Sequence, residues 1–341
     1  MRGSRFKPWG ASKWLFSGAS VLALSCGRDL PLSFDGLSPP STAGATSGGA
    51  AWGGTHNGGA AGTGGPPVTC DPPGPDADDL GKTRFAVIGD YGIAGPAEKA
   101  VAELVRSFRP AFIATTGDNN YPSGEASTID GNIGQYFSDF ICPYRGSYGK
   151  GAAKNRFFPA LGNHDWYAAD AQPYLAYFAL PGNERYYDVS WGSVRLWIID
   201  SDYHEPDGVS ADSKQAQWLK AGLQAAAEPW QLVFMHHSPY SSGMHQSTAY
   251  MQWPYAEWGV DVVFAGHDHS YERLERGGVH YVVNGLGARD IYAFGTPLAD
   301  SKVRYNLAHG ANLVEADATT LSIQFVDIDG NVIDQLELRS R

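Results

Sequence analysis

Arg84-Phe85-Ala86-Val87-Ile88-Gly89-Asp90-Tyr91-Gly92 opens the most informative part of this 341-residue chain. The short unbroken apolar run is the pattern of a strand covered on both faces. Pro96 follows, suited to a first helical turn, and Ala97, Ala100, Val101, Leu104, Val105 and Phe108 fall at helical spacing. A second apolar run, Ala111 to Thr116, comes next. Strand, helix and strand in this order make a β-α-β unit, so the fold class is α/β with a partly parallel sheet.

Working outward, strands are predicted at 156–161, 194–200, 231–235 and 261–265, and a helix over 212–227 with Ala216, Leu219, Leu223 and Ala227 as its apolar stripe. Beyond Gly277 only strands are predicted: 279–283, 312–316, 321–327 and 332–338, with an Asp329-Gly330 hairpin turn between the last two. An α/β first part and a β-rich end predict two packed sheets with helices outside.

The N-terminal side reads differently. Arg2, Arg5, Lys7 and Lys13 precede a short apolar stretch, Trp14 to Ser25, too short to span a bilayer. Residues 1–26 are therefore read as an export signal. Ala23-Leu24-Ser25-Cys26 resembles a bacterial lipoprotein processing site, although Ala23 stands where Leu is usual; the other reading is an ordinary secretory signal. Residues 27–79 are rich in Gly and Pro and are read as a flexible tether, leaving 80–341 as the catalytic domain. With Cys26 given to a lipid, Cys70 and Cys142 remain, either as a disulfide or as two unrelated thiols. A formal charge of −11 makes nucleic acid a poor partner.

Five motifs stand where an apolar run gives way to Gly or polar residues. They are Gly89-Asp90-Tyr91-Gly92, Gly117-Asp118-Asn119-Asn120-Tyr121, Gly162-Asn163-His164-Asp165, Val233-Phe234-Met235-His236 and Gly266-His267-Asp268-His269. The glycines are expected to permit tight turns that expose the next side chain. Singly, each motif is weak; a Gly-Asp after a strand is usually only a turn. In series at strand ends, where α/β active sites gather, Asp90, Asp118, Tyr121, Asn163, His236, His267 and His269 form a ligand inventory for two metal ions sharing a carboxylate.

With Gly266-His267-Asp268-His269-Ser270-Tyr271-Glu272-Arg273, the set resembles the purple acid phosphatases, tartrate-resistant acid phosphatases included, of the calcineurin-like metallophosphoesterase superfamily. The resemblance runs from Arg84 to the C-terminus and implies a four-layer αββα sandwich. It implies that Asp90, Asp118, Tyr121 and His269 hold one metal, and Asp118, Asn163, His236 and His267 the other. Most superfamily members carry Asp-x-His in the first motif; here position 92 is Gly, and Tyr121 supplies a phenolate. A hard anionic oxygen favours a hard cation, and the purple enzymes use Fe(III) there. The second donor set suits Zn(II), Mn(II) or Fe(II). His236, which ends its strand, is preferred over His237 as ligand.

The implied activity is acid hydrolysis of small phosphomonoesters by in-line attack of a metal-bound hydroxide. His164 is the leading acid or phosphate contact, His245 matches a substrate-facing His of the family, and Asp165 is expected to orient a neighbour. A phosphodiesterase or nucleotide hydrolase of the same superfamily, a non-catalytic surface metal-binding protein and iron redox chemistry are the alternatives. Tyr240, Met244, Tyr250, Trp253, Tyr255 and Trp258 are read either as core or as a wall for an aromatic leaving group.

Overall fold

The computed structural model describes residues 69–75 and 81–340. The predicted export signal, Cys26 and most of the predicted tether lie outside the described residues. Among the described residues no helix is long and apolar enough to cross a membrane.

The β-α-β unit forms as its pattern predicts: β1 (Thr83–Ile88), α1 (Pro96–Ser107) and β2 (Phe112–Thr115), with β1 and β2 parallel. β3 (Phe157–Phe158) extends the parallel run by two residues only, shorter than predicted. Pro159 follows, and a residue without an N–H cannot continue a ladder. The C-terminal strands β11 (Gly310–Ala316), β12 (Thr320–Asp327) and β13 (Val332–Arg339) join antiparallel, giving the order β13-β12-β11-β1-β2-β3.

A second sheet runs β10-β8-β9-β7-β6-β5-β4. Its parallel centre is β5 (Val194–Ile198), β6 (Trp230–Phe234), β7 (Val262–Ala265) and β9 (Val279–Asn284). Antiparallel flanks are β4 (Tyr187–Trp191), β8 (Tyr271–Arg276) and β10 (Ser301–Tyr305), none of which the sequence pattern marked. β8 and β10 mix charged with apolar residues, and only pairing, β8 with β9 and β10 with β8, makes strands of them.

Side chains of both sheets meet in one large buried core containing Phe85, Phe112, Leu196, Leu232 and Phe325. A separate cluster buries Ala216, Leu219 and Leu223 of a helix over Lys214–Ala225 against Val233, Val263 and Val283 of the second sheet. That helix starts where Ser213 Oγ accepts the N–H of Ala216. Two sheets with helices outside give the predicted sandwich. Met251, Trp253 and Tyr255 belong to this second cluster, with Tyr240 and Trp258 packed against it, so most of the suggested aromatic wall is core; Met244 and Tyr250 are exposed.

Residues 69–75 fall inside the stretch read as tether, yet they are held to the domain. Cys70 and Cys142 are disulfide-bonded, and Asp71 bridges Lys154. The crosslink spans 72 residues that include β1, α1 and β2. Its removal in a Cys70→Ser, Cys142→Ser double variant is expected to cost about 3 kcal/mol in a denaturant titration; an unchanged midpoint would show that the crosslink constrains nothing that unfolds.

In α1, Glu98 is fully buried and neither carboxylate oxygen has a hydrogen-bond partner. Burial pushes its carboxyl well above the usual range. The folded state therefore binds more protons than the unfolded chain above the unfolded pKa, and stability falls as pH rises from there. Glu98→Gln removes the ionisable group, so Tm is expected to rise at pH 8 and to stay level at pH 4. A variant less stable than the parent at pH 8 would contradict this.

Candidate metal centre

The seven predicted donors come from the carboxyl-terminal ends of strands in both sheets: Asp90 after β1, Asp118 and Tyr121 after β2, Asn163 after β3, His236 after β6, His267 and His269 after β7. Backbone bonds sew these ends together. Asp90 N donates to Gly117 O (3.1 Å) and Gly266 N to His236 O (2.9 Å). Asp90, Asp118 and His267 have φ of 55°, 53° and 70°, unusual for non-glycine residues and a sign of stored strain. The expectation that each motif glycine makes the turn is thus corrected: of Gly89, Gly117, Gly162 and Gly266, only Gly117 has a positive φ, 92°. A Cβ there would also stand 2.8 Å from the His236 ring, so close approach matters as much as the turn.

All seven donors converge. Among the described residues, Asp90, Asp118 and His236 each present a ligand atom within 4.8 Å of one another. Tyr121 OH lies 2.7 Å from Asp118 Oδ2, 3.2 Å from Asp90 Oδ1 and 3.3 Å from His269 Nε2. On the other side, His236 Nε2 lies 3.4 Å from Asp118 Oδ1, 3.0 Å from Asn163 Oδ1 and 3.2 Å from His267 Nδ1. Asp118 thus turns one oxygen to each donor group.

The imidazoles are pre-set. His236 Nδ1 meets Thr116 O at 2.9 Å, and His269 Nδ1 meets Asp290 O at 2.8 Å. A carbonyl only accepts, so each Nδ1 carries the proton and each Nε2 offers a lone pair. His237 turns Nδ1 to Ser201 Oγ at 3.1 Å, and its ring stands 4.4 Å from that of His267; burial holds it down at about 3. His267 is held well below its ordinary value by burial and then by His236, His237 and His245.

Burial, then Asp118 and Asp90, push the Tyr121 phenol well above its usual range. A phenol crowded by two carboxylates ionises only against a strong Lewis acid, and the buried oxygens repel one another unless a cation sits among them. The donor chemistry fits metal: oxygen-rich around Tyr121, nitrogen-rich around His236.

His164 lies beside the centre, Nε2 3.9 Å from Asp118 Oδ2, with Nδ1 2.5 Å from Pro122 O. The His245 ring stands 4.1 Å from that of His267. Asp165 does orient neighbours: it accepts from Gly162 N (2.9 Å) and Asn119 Nδ2 (2.8 Å). Its carboxyl is raised to about 7 by burial first and Asp118 second.

In the octapeptide 266–273 the residues between and after the histidines are clamps. Asp268 accepts from Ser241 Oγ (2.5 Å) and His245 N (2.7 Å), while Glu272 accepts from Ser242 N (2.6 Å). Together they fix the loop that carries His245.

Sequence reasoning missed Arg289 and Tyr292. Gly287 N donates to Gly89 O (3.0 Å), and Ala288 N and Arg289 N to Asp90 O (3.1 and 3.2 Å). This sets the Arg289 guanidinium 4.8 Å from the Tyr121 ring centre and stacks Tyr292 on His269 at 4.0 Å. The glycines at 285 and 287, just past β9, were the available signal.

The family described as calcineurin-like phosphoesterase matches residues 83–271. Purple acid phosphatase 17 of Arabidopsis thaliana is 26% identical over 247 residues, which cover 61% of this chain and 69% of that protein. Fe(3+)-Zn(2+) purple acid phosphatase 12 of the same plant is 42% identical over 111 residues, 28% of this chain and 23% of that protein. A purple acid phosphatase from yellow lupin (Lupinus luteus) seeds superposes with a TM-score of 0.63 at 18% identity, over 76% of this chain and 54% of that one; at this identity the likeness speaks for the fold.

Proposed function

This chain belongs to the calcineurin-like phosphoesterases, and from that premise we propose that it is a binuclear acid phosphatase acting on small phosphomonoesters. Asp90, Asp118, Tyr121 and His269 would hold Fe(III); Asp118, Asn163, His236 and His267 would hold Zn(II), Mn(II) or Fe(II). The observation that carries the reading is Asp118, whose two oxygens face two separate donor groups. The Arabidopsis relative whose name specifies Fe(3+) and Zn(2+) supports the metal pair.

When bound, two cations acidify water and neutralise charge on the phosphoryl oxygens. The chain's own groups do the rest. In the net reaction a water oxygen bonds to phosphorus, the ester P–O bond breaks, and the departing alkoxide takes a proton. His164 would give that proton: Pro122 O engages Nδ1, leaving Nε2 beside the centre to donate when the ring is charged. His245, fixed by Asp268, would contact the substrate from the His267 side.

We also infer an exported protein, with a tether through a lipid on Cys26; the Cys70–Cys142 disulfide supports an oxidising compartment.

The test is turnover of p-nitrophenyl phosphate against its bis ester from pH 4 to 8, with metal analysis and a visible spectrum. Monoester turnover should dominate at acidic pH. Tyr121→Phe should abolish a visible phenolate-to-iron band. Faster diester turnover would overturn the substrate assignment, and a colourless parent holding only zinc would overturn the iron.

A further inference from the structure

His236 and His237 are neighbours in sequence, yet the fold gives them opposite proton positions. His236 Nδ1 meets Thr116 O at 2.9 Å, which takes its N–H and leaves Nε2 with a lone pair among the donors. His237 turns Nδ1 to a hydroxyl instead, Ser201 Oγ at 3.1 Å. The backbone N–H groups of His236 and His237 both donate to that same oxygen, at 3.2 and 2.7 Å. A serine oxygen has two lone pairs and one hydrogen. Both lone pairs are taken, so the hydrogen goes to His237 Nδ1 and the ring carries its own proton on Nε2. A ring nitrogen that bears hydrogen cannot ligate a cation. The second histidine of the pair is therefore set up to donate a hydrogen bond rather than to hold a metal.

Strand order fixes where that N–H points. His236 and His237 follow β6, which lies between β5 and β7. Ser201 follows β5 and engages Nδ1, so Nε2, across the ring, turns toward the end of β7. On that side the His237 ring stands 4.4 Å from the ring of His267, and the His245 ring stands 4.1 Å from the same ring. Ser201 is fully buried, whereas His237 is only partly so. Among the described residues nothing accepts from His237 Nε2, and the atom is not sealed inside the protein, so it opens to solvent beside the nitrogen-rich donor group. A phosphoryl oxygen entering there only accepts, and a charged acceptor makes the stronger bond.

We propose that His237 is a substrate-contacting residue whose Nε2–H donates a hydrogen bond to an oxygen of the phosphoryl group held at the centre. The inference rests on the phosphoester-hydrolase reading of that centre and adds a contact to it.

Two measurements test it. Nitrogen NMR of the metal-free chain carrying labelled histidine should find His237 protonated on Nε2 and bare on Nδ1 at neutral pH. A His237 protonated on Nδ1 alone overturns the proposal. This result needs no variant, so it judges the residue even where a substitution does not fold. The second measurement is calorimetry of inorganic phosphate binding to the metal-loaded chain. His237→Phe keeps a ring and loses the N–H, and it should weaken phosphate about tenfold or more with metal content unchanged. His237→Gln, whose side-chain NH₂ can stand in for Nε2–H, should bind phosphate more tightly than His237→Phe. Equal affinity in the parent and His237→Phe overturns the proposal. So does loss of a metal ion from His237→Phe, which is what removing a ligand would give. Turnover of p-nitrophenyl phosphate by the parent is measured alongside. Its absence would strike the hydrolase reading, while the proton position and the phosphate affinity judge His237 separately.

Discussion

Asp118→Asn is expected to lower kcat/KM for p-nitrophenyl phosphate by about 10⁴-fold, the largest loss of any single change in this protein. The side chain keeps its shape but trades one oxygen for an NH₂ group. Oδ2 faces Tyr121 OH at 2.7 Å and Oδ1 faces His236 Nε2 at 3.4 Å, so whichever way the amide turns, one donor group meets a hydrogen-bearing nitrogen. Such a nitrogen cannot ligate a cation. Metal analysis should fall from about two ions per chain to about one or none. The fold should survive, because the Asp118 backbone bond to Gly92 N does not involve the side chain. Full metal content with activity within tenfold of the parent would show that Asp118 is not shared.

Gly92→His restores the Asp-x-His pattern common in the superfamily, and it is expected to destabilise the protein by about 5 kcal/mol rather than to add a ligand. A Cβ on residue 92 would collide with the carbonyl of Asn119 and stand 2.6 Å from Asn120 N. Both atoms are backbone, and they belong to the loop that aims Asp118 and Tyr121. Tyr121 N donates to Gly92 O at 2.8 Å, so the two segments are bonded edge to edge. No rotamer change relieves the contact. Thermal unfolding checks it: Tm should drop by about 10 °C or more. A variant that melts with the parent would mean the two loops can separate, and that Tyr121 is not the only donor the position allows.

The exclusion of a side chain at 92 and the arrival of Tyr121 at the centre are one packing event. The sequence shows both substitutions, but the reason they occur together is the contact between two loops 27 or more residues apart, which no local pattern reports. The same holds for Arg289 and Tyr292. Their neighbours in sequence are an ordinary strand end and turn, and their placement follows from hydrogen bonds to residues 89, 90 and 269. The strands β4, β8 and β10 went unmarked for a related reason: they are flanking strands made by their partners.

Sequence alone determined the β-α-β opening and the two-sheet architecture and pointed to the seven candidate donors, because apolar periodicity and strand-end polarity are local consequences of burial. The tertiary structure alone decided which oxygen of Asp118 faces which group, which ring nitrogen of His236 and of His269 is free, and that Cys70 joins Cys142. Those are matters of distance between segments far apart in the chain, and distance across a fold is set by how the two sheets pack.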